Sequence, residues 1–146
     1  MNKAESADLI LKLYETRREP VMREARKWMV GFSPESVEDI IHAMIDEESG
    51  AYYRMVTTYW DMAASFVNHG AIDEEMFNET QGEYILVFSK IEPFLAELRE
   101  KFNSPKMYAN LEKLIMKMPQ AKEMLAGRRE MMKRMAELRA EKAKTA

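Results

Sequence analysis

Apolar residues recur three and four positions apart along almost the whole chain, the spacing that lines one face of an α-helix. Leu9 and Leu13, then Val21, Ala25 and Trp28, set this pattern in a first helix over about residues 7–30. Ser6 is its expected cap. Pro20 must kink or split it, because proline lacks an N–H and clashes with the preceding turn. Gly31 then follows as a helix stop. Ser33-Pro34 opens a second helix, serine capping and proline in first position, with Val37, Ile40, Ile41, Met44 and Ile45 as its apolar face.

Gly50 is expected to separate that helix from a third, over about 51–69. One stripe of the third helix is Tyr53, Val56, Trp60, Ala63 and Val67; an adjacent stripe is Met55, Tyr59, Met62, Phe66 and His69. A helix apolar over most of its circumference belongs in the middle of a bundle. Asp73 caps a fourth helix that runs to Phe102, bent near Gly82 and Pro93. Ser104-Pro105 repeats the cap-then-proline pattern, Pro119 ends or kinks the helix it opens, and a last helix reaches about Ala140 before the tail frays. The one β-like run, Tyr84-Ile85-Leu86-Val87-Phe88, sits inside a helical period. The expectation is an all-α fold: an irregular helical bundle of five to six helices over residues 1–118, followed at 119–146 by a Met-rich amphipathic C-terminal helix and tail.

Composition narrows the function classes. With 47% apolar and 32% charged residues in 146, the chain is globular and large enough to bury a core without staples. It has no cysteine, which removes disulfides, thiolate catalysis and zinc–thiolate sites and suits a reducing, cytoplasmic setting. Met1-Asn2-Lys3-Ala4-Glu5 leads straight into a charged amphipathic pattern with no apolar leader, and no uncharged run approaches the ~20 residues of a membrane span. The net charge of −3 is unevenly spread. Residues 35–83 carry twelve acids against one base, Arg54, whereas 120–146 carry eight bases against four acids. Two such regions attract one another, within a chain or across a dimer.

The stretch from Tyr59-Trp60-Asp61 through Asn68-His69-Gly70-Ala71-Ile72-Asp73-Glu74-Glu75-Met76-Phe77 resembles a bacterial family of small all-helical proteins of unknown function. In that family an aromatic–acid pair precedes a short apolar helix, a glycine and an acid-capped helix. Ile91-Glu92-Pro93-Phe94-Leu95, Leu98-Arg99 and Ser104-Pro105-Lys106-Met107-Tyr108 with Leu111 fit the same style, so the resemblance covers roughly residues 55–115. It implies an all-α fold and assigns no catalytic residue.

Candidate chemistry is sparse. Glu38, Asp39, His42 and Asp46 share a helix face, but a di-iron bundle needs two Glu-x-x-His pairs and further carboxylates, and the chain has two histidines in all. No metal or cofactor is expected. Phosphate loops, nucleophile elbows and dinucleotide fingerprints are absent from the sequence, so no catalytic residue is assigned. Trp60, Asp61 and His69 mark a possible pocket, with His69 also placed to cap its own helix C-terminus. Asp61 lies among Thr57, Thr58, Ser65 and Asn68, a small polar face that suits a buried seam or a shallow groove. The bases of the first helix, Arg17, Arg18, Arg23, Arg26 and Lys27, alternate with Glu15, Glu19 and Glu24, a pattern of surface ion pairs and not of nucleic-acid contact.

Fourteen methionines stand out, seven of them after residue 105. In the last helix Met124, Met131, Met135 and Leu138 form an a/d-like seam, widened by Leu125 and Met132. Methionine is flexible and polarizable, and it suits adaptable binding surfaces. The favoured function is a non-enzymatic helical interaction protein that self-associates or binds another protein through this seam. The alternatives are small-ligand or metal binding near Trp60, Asp61 and His69, and peripheral membrane or peptide binding by the last helix.

Overall fold

The computed structural model describes residues 2–145, and among them there is no strand. The helices are α1 (Lys3–Arg17), α2 (Pro20–Gly31), α3 (Val37–Ile45), α4 (Glu47–Asn68), α5 (Glu74–Thr80), α6 (Glu83–Ile91), α7 (Leu95–Lys101), α8 (Ala109–Met116) and α9 (Ala121–Thr145), with a 3₁₀ turn over Glu92–Phe94. That turn joins α6 to α7 as one bent rod, so the rods number eight, more than the five or six expected.

The extra breaks have local causes. Pro20 splits the first helix because it takes the first position of α2, where its missing N–H costs nothing; Glu19 accepts from Met22 N at 2.9 Å beside it. Asp46 alone stands between α3 and α4 and caps the latter, accepting from Glu48 N and Ser49 N. Gln81 and Gly82 separate α5 from α6.

Several caps fall elsewhere than expected. Asn2 caps α1 by accepting from Glu5 N, while Ser6 is buried and its hydroxyl accepts from Asp73 N at 2.9 Å, tying α1 to the start of α5. Ser36, not Ser33, caps α3. Ser104 lies in a turn, and α8 begins only after Tyr108, whose φ is +55°. Asp73 does cap α5, accepting from Met76 N at 2.9 Å. The last helix continues past Ala140 to Thr145.

α4 is the central helix, packed on α2, α3 and α8. Its stripe Tyr53, Val56, Trp60, Ala63 and Val67 is buried, and Tyr59 beside it. The second stripe then departs from expectation, because Met62, Phe66 and His69 are exposed. Trp60 anchors an aromatic cluster, with ring centroids 4.9 Å from Tyr59, 6.4 Å from Phe77 and 6.0 Å from Tyr84.

Gly50 lies inside α4 and does not separate two helices. The single-residue corner at Asp46 folds α3 back so closely that a Cβ on Gly50 would sit 2.6 Å from the Met44 carbonyl oxygen. In a helix interior, glycine to alanine ordinarily stabilises by about 1 kcal/mol. Here the obstacle is backbone, so Gly50→Ala is expected to destabilise by about 1–3 kcal/mol. Urea titration checks the sign, and a gain in stability would show that the corner opens freely.

Candidate functional site

The three residues marked as a possible pocket diverge in space. Trp60 is fully buried, and its indole N–H donates to Glu83 Oε2 at 2.8 Å. The Glu83 carboxylate also receives Arg26, through Nε at 3.0 Å and Nη2 at 3.0 Å. The Arg17 guanidinium lies 5.1 Å above the indole ring and donates to the Tyr59 hydroxyl, which in turn donates to the Leu13 carbonyl. Asp61, one residue on, turns toward α8: Oδ1 accepts from Leu111 N at 3.0 Å and Oδ2 from Asn110 Nδ2 at 3.1 Å. It supplies the N-terminal cap that α8 lacks within its own segment. Asn68 donates to the Asn110 carbonyl alongside, so this polar face of α4 is a seam against α8. His69 is exposed at the C-terminal end of α4. None of the three lines the clefts described below.

Two acids of the cluster on α3, Asp39 and Asp46, are committed to backbone. Asp39 accepts from Glu35 N at 2.8 Å, and Asp46 holds the first turn of α4, whose N–H donors keep its carboxyl below the ordinary range. Among the described residues, no group of three or more acids and histidines is arranged to hold a metal ion.

The most unusual single group is Lys90. It is 6% exposed, and its ammonium donates to the carbonyls of Phe32 and of Val30, the latter at 3.4 Å. Those carbonyls stand at the C-terminus of α2, where the helix dipole favours a cation. Burial nevertheless pulls the Lys90 amine down to about 8. Two clefts flank it. One of about 360 Å³ lies against Pro34, Glu35, Phe94, Arg129 and Lys133; the other, of about 260 Å³, lies against Met29, Leu86 and Arg128, and Met132 reaches both.

α9 roofs these clefts. Leu125 at its base is buried against the core, and Arg129 donates to the Ser89 carbonyl at 2.7 Å. Lys90 and Arg129 thus spend donors on backbone carbonyls and clamp α2, α6 and α9 together. Among the described residues of the clefts, no hydrogen bond joins a serine or lysine to a side-chain base. The pattern missed Lys90 and Glu83, although a lone cation within the apolar run Tyr84 to Ile91 is itself a sign of burial with a partner.

The expected interface residues divide between the base and the shaft of α9. Met124 is half-buried at the base, beside Ala121 and Leu125. Met131, Met135 and Leu138 are 44%, 44% and 45% exposed. From Lys133 to Thr145 every residue is exposed, so about 20 Å of helix stands clear of the body at 1.5 Å per residue. The ion pairs of this shaft are internal, Arg134 with Glu137 at 3.4 Å and with Glu141 at 3.9 Å. No helix among the described residues is long and apolar enough to cross a membrane.

Residues 3–118 match the family model of a domain of unknown function, DUF4760, so that α9 lies beyond the matched segment. No curated protein and no solved structure matches the chain.

Proposed function

We propose that this chain, which belongs to the DUF4760 family, acts by binding and not by catalysis, as a helical protein that self-associates through α9. The observation that carries this reading is the stripe Met131, Met135 and Leu138, exposed along a helix that outruns its own body. Large apolar side chains aligned on one face lower their free energy by meeting a partner. The inward chemistry points the same way, since Asp61, Glu83, Lys90 and Arg129 are engaged in holding helices together. The absence of cysteine suits a cytoplasmic setting.

Light scattering across a concentration series tests the reading. The wild-type protein is expected to reach at least twice the chain mass, and Met131→Glu with Met135→Glu to remain at the chain mass. Because both side chains face outward, the double variant should keep the wild-type far-UV circular dichroism. A wild-type protein that stays monomeric at about 100 μM, a concentration at which micromolar association would be complete, overturns the reading. Vesicle binding by such a monomer, lost in the double variant, would put a lipid surface in place of the second chain.

A further inference from the structure

We propose that two copies of this chain pair through antiparallel α9 helices, with Met135 of each packed on Leu138 of the other. The proposal rests on the self-association reading and adds its geometry. The projecting shaft presents Met131, Met135 and Leu138 on one face, and continuing the same 3–4 spacing adds Lys142 at the far end. At about 100° per residue this seam lies roughly a quarter turn from the Leu125 and Met132 line that meets the body. A second helix can therefore lie along it without displacing α6.

Charge selects the direction. In a parallel pair, equal positions face each other, so Lys142 meets Lys142, while Arg134 flanks Arg139 of the other chain. Each of these contacts is repulsive. In the antiparallel pair centred between Met135 and Leu138, the seam layers are Met135 with Leu138 and Met131 with Lys142, each occurring twice. The lysine stem can cover the methionine while its ammonium reaches water. Arg134 then faces the partner's Glu141, again twice. These two side chains occupy the same edge of the seam, as their 3.9 Å approach along a single helix shows.

Register follows from the same pair. Sliding by one heptad in one direction sets Arg134 against Arg134, and in the other sets Glu141 against Glu141. Both neighbouring registers exchange two attractive contacts for a repulsive one.

The lack of native cysteine makes engineered thiols clean probes. Met131→Cys and Lys142→Cys are made as separate full-length variants, their masses are measured, and they are oxidised alone and mixed. The expected result is little disulfide dimer in either variant alone and abundant heterodimer in the mixture. Strong self-cross-linking of Lys142→Cys in a dimeric protein would establish a parallel pair and overturn the geometry while leaving self-association intact. A monomeric mass for the wild-type protein would overturn both. In a second arm, Glu141→Arg is expected to weaken dimerisation about tenfold, and the exchange Arg134→Glu with Glu141→Arg to restore it. Failure of the exchange to restore dimerisation rejects the register.

Discussion

Trp60→Ala is expected to lose about 3–5 kcal/mol of stability, the usual cost of emptying a large buried aromatic site. Net stabilities of single domains lie in the range of about 5–15 kcal/mol, so this one change removes a large share of the total. The indole is fully buried and in ring contact with Tyr59, Phe77 and Tyr84. Its N–H is also one of the donors that hold the Glu83 carboxylate between α4 and α2. Trp60→Phe separates the two effects. It keeps much of the ring volume but leaves Glu83 to Arg26 alone, and should cost less than the alanine change, about 1–3 kcal/mol for the lost charged hydrogen bond together with the lost volume. Urea denaturation monitored by far-UV circular dichroism reads both. An alanine variant within 1 kcal/mol of wild type would mean that the cluster closes over the gap and that Trp60 is not the anchor of the core.

Raising the pH from about 8 toward about 9.5 is expected to stabilise the protein, opposite to the usual decline in alkali. The amine of Lys90 is drawn from its ordinary 10.5 to about 8 by burial in the folded chain. Between those values the unfolded chain binds the proton that the folded chain has shed, so stability rises with pH; below about 8 both states are protonated and this group adds no slope. Because the folded amine is still half protonated near pH 8, this group adds about 1 kcal/mol between pH 8 and 9 and about 2 kcal/mol by pH 10. Arg26, Arg128, Arg129 and Lys133 share these clefts with Glu35, Glu83 and Glu130, and burial is the cause of the shift. From about pH 9.5 the buried tyrosines reverse the trend. Tyr53, Tyr59, Tyr84 and Tyr108 all have phenols raised by burial, so their unfolded forms ionise first and stability falls. Denaturation at about pH 7, 8, 9 and 9.5 should therefore show a plateau and then a rise, and Lys90→Met should abolish the rise. A flat wild-type profile would show that the carbonyls of Val30 and Phe32 retain the proton against the cost of burial.

The two residues with the largest consequences were not equally visible in the sequence. Trp60 could be placed in the core from spacing alone, since it belongs to a stripe repeated through about four turns of one helix. Lys90 could not, because its burial depends on α2 ending where α6 passes, and those segments are nearly sixty residues apart. Asp61 shows the same limit. Its neighbours in sequence are small and polar, which fits a groove as well as a packed seam. Its role as the cap of α8 exists only because residues fifty positions away are brought to it.

The sequence by itself determined the class of fold, the central place of the helix bearing Trp60, the Asp73 cap and the apolar seam of the last helix. All of these are periodic or local, and backbone geometry converts period and cap chemistry directly into helix. Only the tertiary structure decided which caps are used and which apolar residues stay exposed. Ser33, Ser36, Ser104 and Asp61 offer similar oxygens, and packing decides which of them meets an unsatisfied N–H. Met62, Phe66 and the Met131–Leu138 stripe satisfy the same pattern as Val56 and Val67; whether such a residue is covered depends on a neighbouring element, which lies outside any single helix's period.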